Sequence, residues 1–363
     1  MDMILRMRKE RIGALSRGTM VSLTVLAFVL VMTIGGAIYI LERTGEDEGD
    51  LVIYAYESFQ SYGLGPAVIP EFEKMYGVKV TVETPGDVGT VLAKINLEKG
   101  DPGADVVIGV DNSMLHRAVE MDLLSPYVPT NIDRLDPTMS FDPGHHIVPF
   151  DYGYIAIICS REMMEERDLP YPASVLDLAD PVYRGQLLLL DPAQSSTGSS
   201  FMIWAAQVAG DNYSAFFDDL AGNAEGKVFG SWDAMYNMWG DGEAPIAISY
   251  GLDTAYEMMW YGTNDTVTIV PPEEGYRQIE GAGLVKGARH RELAEKFLDF
   301  ILTDEFQSEV YNNYMLPVVP SVEVNEYFLQ YGASADRHVE PTVDEVSAHY
   351  DDWMAAWREA FFG

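Results

Sequence analysis

Leu51-Val52-Ile53-Tyr54-Ala55-Tyr56, Val78-Lys79-Val80-Thr81-Val82 and Ala104-Asp105-Val106-Val107-Ile108-Gly109-Val110 are three short apolar runs, and what lies between them decides the fold. The first and third have the composition of buried strands, and the second reads as a strand as well. Between the first two, Val68, Ile69, Phe72 and Met75 recur at helical spacing over residues 66–76, and Gly77 stops the pattern. Between the second and third, residues 88–98 place Val91, Leu92 and Ile95 on one helix face. Strand, helix, strand, helix, strand predicts parallel strands with crossover helices. Further on, residues 147–160 and 244–250 read as strands and 186–190 as a buried strand. Residues 199–209, 291–302 and 343–361 read as helices, the second with Leu293, Phe297, Leu298 and Ile301 facing inward and the last carrying Trp353 and Trp357. No repeat or low-complexity tract is present.

Upstream of these elements, residues 19–41 contain 23 consecutive positions without a charge, behind the basic residues Arg6, Arg8, Lys9, Arg11 and Arg17. About 20 apolar residues span a hydrocarbon core, and flanking basic residues stay cytoplasmic. The expectation is a cytoplasmic segment (1–18), an uncleaved membrane anchor (19–41), a charged linker (42–50) and a large extracytoplasmic part. A cleaved signal segment is the alternative. The chain carries 57 acidic and 23 basic side chains, a formal charge of −34, which repels nucleic acid and anionic bilayers. Such acidity suits a salty medium and draws in small cations weakly. The single cysteine, Cys159, excludes an intrachain disulfide and reads as a buried strand residue.

Catalytic signatures are missing from the sequence: it has no Gly-x-Ser-x-Gly elbow, P-loop, His-Glu-x-x-His or dinucleotide fingerprint. His145-His146 is a poor chelate, because neighbours on a strand face opposite ways. Asn212-Tyr213-Ser214 and Asn264-Asp265-Thr266 match the glycosylation sequon, a pattern that also arises by chance. The stretch Asp191 to Ser200 is more informative. Its Ser195, Ser196, Thr197 and Gly198 follow a strand and open a helix, where free N–H groups suit either a phosphate or hydroxyl, or ordinary capping. Aromatic and acidic residues gather at strand ends, where ligands bind in open α/β sheets. They are Tyr56, Glu57 and Tyr62 after the first strand, Asp111 and Asn112 after the third, Trp232, and then Tyr250, Asp253 and Tyr256. Flat π-faces with carboxylates and no nucleophile–base pair suit a cationic aromatic ring.

The segments Tyr54 to Phe59, Ala104 to Asn112, Val148-Pro149-Phe150-Asp151-Tyr152-Gly153-Tyr154, Asp191-Pro192 with Ser195 to Gly198, Trp232, Ser249-Tyr250 with Ala255-Tyr256, Leu293 to Leu298 and Met315-Leu316-Pro317-Val318 carry a resemblance. Over residues 51–360 the chain resembles the thiamine-binding proteins of ABC importers, within the iron/thiamine/polyamine type of periplasmic binding proteins. The resemblance implies an α/β, two-lobed periplasmic-binding-protein-like fold (type II), with lobe 1 at 51–150 plus a return near 270–320, lobe 2 at 151–269, and a C-terminal helical segment at 321–363. It implies a ligand, thiamine or a thiamine phosphate, clamped by hinge closure, no cofactor, and a monomeric ectodomain that serves an ABC permease and its ATPase. Carried over by position, the aromatic residues are Tyr56, Trp232, Tyr250, Tyr256 and Tyr314, the carboxylate is Asp111, and the hydroxyethyl or phosphate end meets residues 195–198. Glu57 stands where Asp is frequent, and Tyr62 and Tyr314 where Trp is typical. A polyamine, ferric iron or a phosphonate in the same fold, and an anchored hydrolase using acid–base pairs such as Asp151 with Asp111, are the competing readings.

Overall fold

The computed structural model describes residues 51–339 and 341–363, so the expected anchor and linker lie outside the described residues. Among the described residues, no helix is long and apolar enough to cross a membrane.

The three opening runs form β1 (Leu51–Tyr54), β2 (Val80–Glu83) and β3 (Val106–Asp111), parallel to one another with β1 in the middle. After β1 come α1 (Glu57–Ser61) and the crossover α2 (Leu64–Tyr76); α3 (Val88–Leu97) joins β2 to β3; α4 (Leu115–Glu120) and β4 (Leu124–Ser125) follow. Helix α2 begins earlier than its spacing predicts. Pro66 then falls in the first turn, where a missing N–H leaves nothing unpaired. Gly77 ends it in the left-handed conformation, φ +71°.

Strand β5 (Ile147–Ser160) carries the same twelve-stranded sheet on into the second lobe. There β6 (Leu187–Leu190) lies parallel to both β7 (Val228–Phe229) and β8 (Ile246–Tyr250), while β8 and β9 (Thr266–Ile269) flank β5 antiparallel. The helices of this lobe are α5 (Arg161–Glu166), α6 (Ser196–Ala209), α7 (Tyr213–Ala224), α8 (Trp232–Gly240) and α9 (Asp253–Trp260). The chain then returns along β10 (Gly275–Val285), antiparallel to β5 and β3, and rebuilds the first lobe with α10 (Arg291–Phe300) and α11 (Asp304–Gln307). Last come β11 (Leu316–Pro317), α12 (Glu326–Tyr331), β12 (His338–Val339) and α13 (Val343–Phe362).

Two apolar cores match the two lobes. One gathers β1–β3, α2, α3 and the returning Phe297, Phe300 and Phe306; the other gathers β6, β8, α6, α7 and the buried face of α13. Trp357 of α13 is fully buried, with Phe217 at 5.3 Å and Phe361 stacked at 4.2 Å. Burying such a ring contributes roughly 1.5–3 kcal/mol. The C-terminal helix thus belongs to the second lobe, yet it also reaches the first: His116 of α4 packs on Tyr350 at 4.4 Å, and Ser347 Oγ donates to Glu120.

Strand β10 and helices α7 to α9 are not evident in the sequence pattern. In β10 the polar residues Arg277, Gln278 and Glu280 interrupt the apolar run, although Gln278 and Glu280 are buried. Cys159 is buried in β5, as expected.

Candidate functional site

The lobes meet across a cleft lined from both sides, and the two crossing strands form its floor. The first lobe contributes Tyr56, which leaves β1, and Asp87, which caps α3; Glu280 comes from β10. The second contributes Ser196 and Thr197 from the first turn of α6, Trp232 from the start of α8 and Tyr250 from the end of β8. Asn313 and Tyr314 close the side, Tyr314 in the left-handed conformation at φ +62°. These residues enclose about 20 Å³, room for about one water molecule. Beyond the shared wall of Tyr314, an outer groove of about 440 Å³ is lined by Tyr62, Tyr236, Tyr256 and Tyr261 with Asp241 and Glu257.

The lobes touch directly. The Gly89 N–H donates to the Gln194 carbonyl at 2.7 Å, and Arg117 donates to the Ala193 carbonyl at 3.1 Å. A Cβ on Gly89 would come within 2.3 Å of the Ala193 oxygen, so only glycine permits this approach.

Residues 195–198 are not a free turn. Ser195 is the N-cap of α6, its Oγ accepting from the Gly198 N–H at 3.3 Å, and the helix starts at Ser196 rather than at residue 199. Gly198 packs on strand β6, where a Cβ would meet Leu190 backbone at 2.9 Å, and it does not line the cleft. The anion at this helix start is Asp87, which accepts from Ser195 and the Ser196 N–H, as well as from Val88 N at 2.7 Å and Trp232 N at 3.3 Å. Burial lifts its carboxyl to about 6 despite these donors.

The aromatic residues assemble as one cluster. Trp232 stacks on Tyr236 at 4.4 Å, and its indole N–H donates to Ser249 Oγ at 3.2 Å. Tyr314 stacks on Tyr256 at 3.9 Å and meets Trp232 and Tyr62 edge-on at 5.5 and 5.6 Å. Tyr250 shares a 2.8 Å hydroxyl bond with Thr197, and the Tyr56 hydroxyl accepts from Asn313 at 2.6 Å and lies against Glu280. Burial pushes the Tyr56, Tyr236 and Tyr250 hydroxyls well above their ordinary range, so they remain neutral.

Three acidic residues singled out in the sequence stand elsewhere than the cavity wall. Asp111, fully buried at the end of β3, accepts from Ser113 N and Oγ, Met114 N and, across the lobes, Ser200 Oγ at 3.1 Å. Burial raises it to about 7. Asp253 accepts from Tyr250 N and Tyr236 OH, both at 2.9 Å, and burial raises it to about 6. Glu57 opens α1, half-buried, away from the cavity. The carboxylates that do line the cavity, Asp87 and Glu280, escaped the sequence reading. Asp87 looks like a plain helix cap before Val88, and Glu280 sits in a strand without clear alternation. Its placement inside an apolar stretch was the available signal.

No Lys, Arg or His lines the inner cavity, and no group of three metal-binding side chains exists among the described residues. The arrangement can hold a ligand by stacking and charge, and it offers no activated nucleophile.

Residues 101–332 match the family described as bacterial extracellular solute-binding protein. The chain is 30% identical over 301 residues to the thiamine-binding periplasmic protein of Brucella melitensis, covering 81% of this chain and 85% of that one. It is 28% identical over 313 residues to the protein of the same name from Salmonella typhimurium, covering 85% and 93%. A solved structure titled periplasmic thiamin binding protein superposes with a TM-score of 0.79 at 26% identity, covering 88% of this chain and 98% of that one. Two lobes on crossing strands, an interlobe cleft and a match along most of the chain agree: the protein belongs to the bacterial extracellular solute-binding protein family.

Proposed function

We propose that this chain captures thiamine, or a phosphorylated form of it, between its lobes outside the cytoplasm and delivers it to an ABC permease without chemical change. The observation that carries this reading is the imbalance of the cleft. Asp87, Asp111, Asp151 and Glu280 are all buried around it, Tyr and Trp rings form its walls, and no basic side chain lines it. A ligand with a fixed positive charge on a flat ring supplies what is lacking, by ion pairing in low dielectric and by cation–π contact. Thiamine has such a ring, and relatives covering most of the chain bear its name. The enclosed 20 Å³ is far too small for it, so the lobes must part at the crossing strands for entry.

The apolar residues 19–41 would tether this receptor to the membrane as a monomer, which N-terminal sequencing of protein from cells tests directly. Calorimetric titration of the full-length chain with thiamine, thiamine monophosphate and spermidine tests the ligand. Thiamine binding well ahead of spermidine is expected. Spermidine binding with thiamine inert would transfer the site to polyamines.

A further inference from the structure

Asp111, Glu280 and Asp151 form a row across three neighbouring strands: Glu280 of β10 is paired with Asp111 of β3 on one side and Asp151 of β5 on the other. Directly paired residues project from the same face of a sheet. The three are 0%, 3% and 0% exposed. Asp111 has its donors, but Asp151 has none for either carboxylate oxygen. Glu280 Oε1 receives the Gln278 amide at 3.1 Å, and the Tyr56 hydroxyl also leans on this carboxylate as a donor, while Glu280 Oε2 and the Gln278 Oε1 lack close partners.

No charged group facing this pair is a cation, and the one hydroxyl donor is Tyr56, which leans on Glu280 and not on Asp151. Asp111 approaches from β3, Asp87 from the start of α3, Tyr56 from the end of β1 and Tyr250 from β8. On the far side, β11 presents Leu316 and Pro317. The basic residue nearest in sequence, Arg277, alternates to the opposite face, where it donates to the Thr138 carbonyl at 3.3 Å. Two adjacent buried carboxylates with no cation beside them, one of them without any donor, cannot both stay ionised. One proton between them converts repulsion into an O–H···O⁻ bond.

We propose that Asp151 and Glu280 share one proton at the cleft floor and release it when a cationic ligand enters, so the receptor selects ligands by charge through proton exchange. This rests on the cationic-ligand reading above. Glu280 lines the cavity and meets the ligand; Asp151 does not, and acts as a positioning residue that fixes the charge of Glu280. One O–H bond breaks, the proton leaves to solvent, and the freed carboxylate pairs with the incoming charge: one positive charge enters as another departs. The desolvation that burial imposes on both groups acts in the same direction, raising each well above the ordinary carboxylate range. A neutral ligand of the same shape releases no proton and gains no ion pair.

Two measurements on the full-length chain decide the matter. The first is the wild-type-minus-variant infrared difference spectrum in the carbonyl region of protonated carboxyl groups near neutral pH, without ligand, which cancels the contribution of Asp111 at about 7. Wild type should show a band that Asp151→Asn and, as an independent variant, Glu280→Gln each remove. The second is calorimetry of thiamine in two buffers of different ionisation enthalpy. About one proton should be released per thiamine, with affinity falling up to about tenfold per unit as pH drops. Asp151→Asn should release fewer protons and show a flatter pH profile. A band unchanged in both variants, or thiamine binding with the same proton release in wild type and Asp151→Asn, would overturn the shared proton. If thiamine fails to bind, the ligand assignment falls, and the infrared comparison alone decides whether the pair holds its proton.

Discussion

Asp87 of the first lobe accepts a hydrogen bond from the backbone N–H of Trp232 in the second, at 3.3 Å. One carboxylate thereby caps its own helix α3 and also neutralises the starts of α6 and α8 across the cleft. Three helix N-termini, each a partial positive charge, converge on it. Closure of the lobes and the charge of the site are tied together through this side chain.

Asp87→Ala should therefore unlatch the lobes. It strips an acceptor from the amides of Val88, Ser196 and Trp232, on the order of 1–3 kcal/mol for an unsatisfied buried group. Thiamine affinity is expected to fall about five- to 100-fold, and small-angle scattering should report a more open particle. Wild-type affinity in a folded variant would remove the latch role.

Gly89 provides a steric counterpart. Gly89→Ala sets a methyl within 2.3 Å of the Ala193 carbonyl oxygen, backbone against side chain, and neither can step aside without parting the lobes. Thiamine binding should weaken at least about tenfold while circular dichroism stays native. Unchanged affinity would show that the contact yields easily.

The aromatic wall is testable by contrast. Trp232→Ala removes a stacking face and should lose about 1–2 kcal/mol of binding, roughly five- to thirty-fold. Trp353→Ala, buried in α13 away from the cavity, should lower the urea midpoint and leave affinity nearly unchanged. Equal effects of the two on affinity would deny the cluster a special role.

Stability should depend on pH in the direction opposite to ordinary acid unfolding. Burial holds Asp111 at about 7 and Asp87 and Asp253 at about 6, all above the usual 3.8. The folded chain binds protons that the unfolded chain has already lost, so stability falls as pH rises between about 4 and about 7. Urea unfolding should require on the order of 1–3 kcal/mol more at about pH 5 than at about pH 7.5. Asp111→Asn should flatten that slope. A midpoint that climbs from about pH 5 to about pH 7.5 would contradict it.

Strands β1 to β3, β5 in full and the helices α3, α10 and α13 were legible because their apolar periodicity is strong. Tyr56, Trp232 and Tyr250, singled out because they flank strand ends or helix starts, all line the inner cavity. Asp87, Glu280 and Asp151 were not assigned roles in binding, because their meaning comes from three-dimensional neighbours. Asp87 acquires a second lobe as partner, and Glu280 and Asp151 become adjacent only when strands distant in sequence pair. Asp111 shows the converse: its strand-end position suggests a ligand contact, and in the fold Ser113, Met114 and Ser200 hydrogen-bond its oxygens.

The interleaving of the lobes also governs how the chain folds. Among the described residues, the open side of β3 is covered by β10, and the second core is completed by Tyr276, Tyr314, Met315 and α13. A nascent chain carrying β1 to β3 therefore has an open sheet edge and no finished core until residues near its end have been made. Contacts so distant in sequence close slowly. For a member of an extracellular family, that delay is useful: a polypeptide that has not yet become compact can still be threaded through a translocation channel, and it acquires its rigid, ligand-gripping form on the far side.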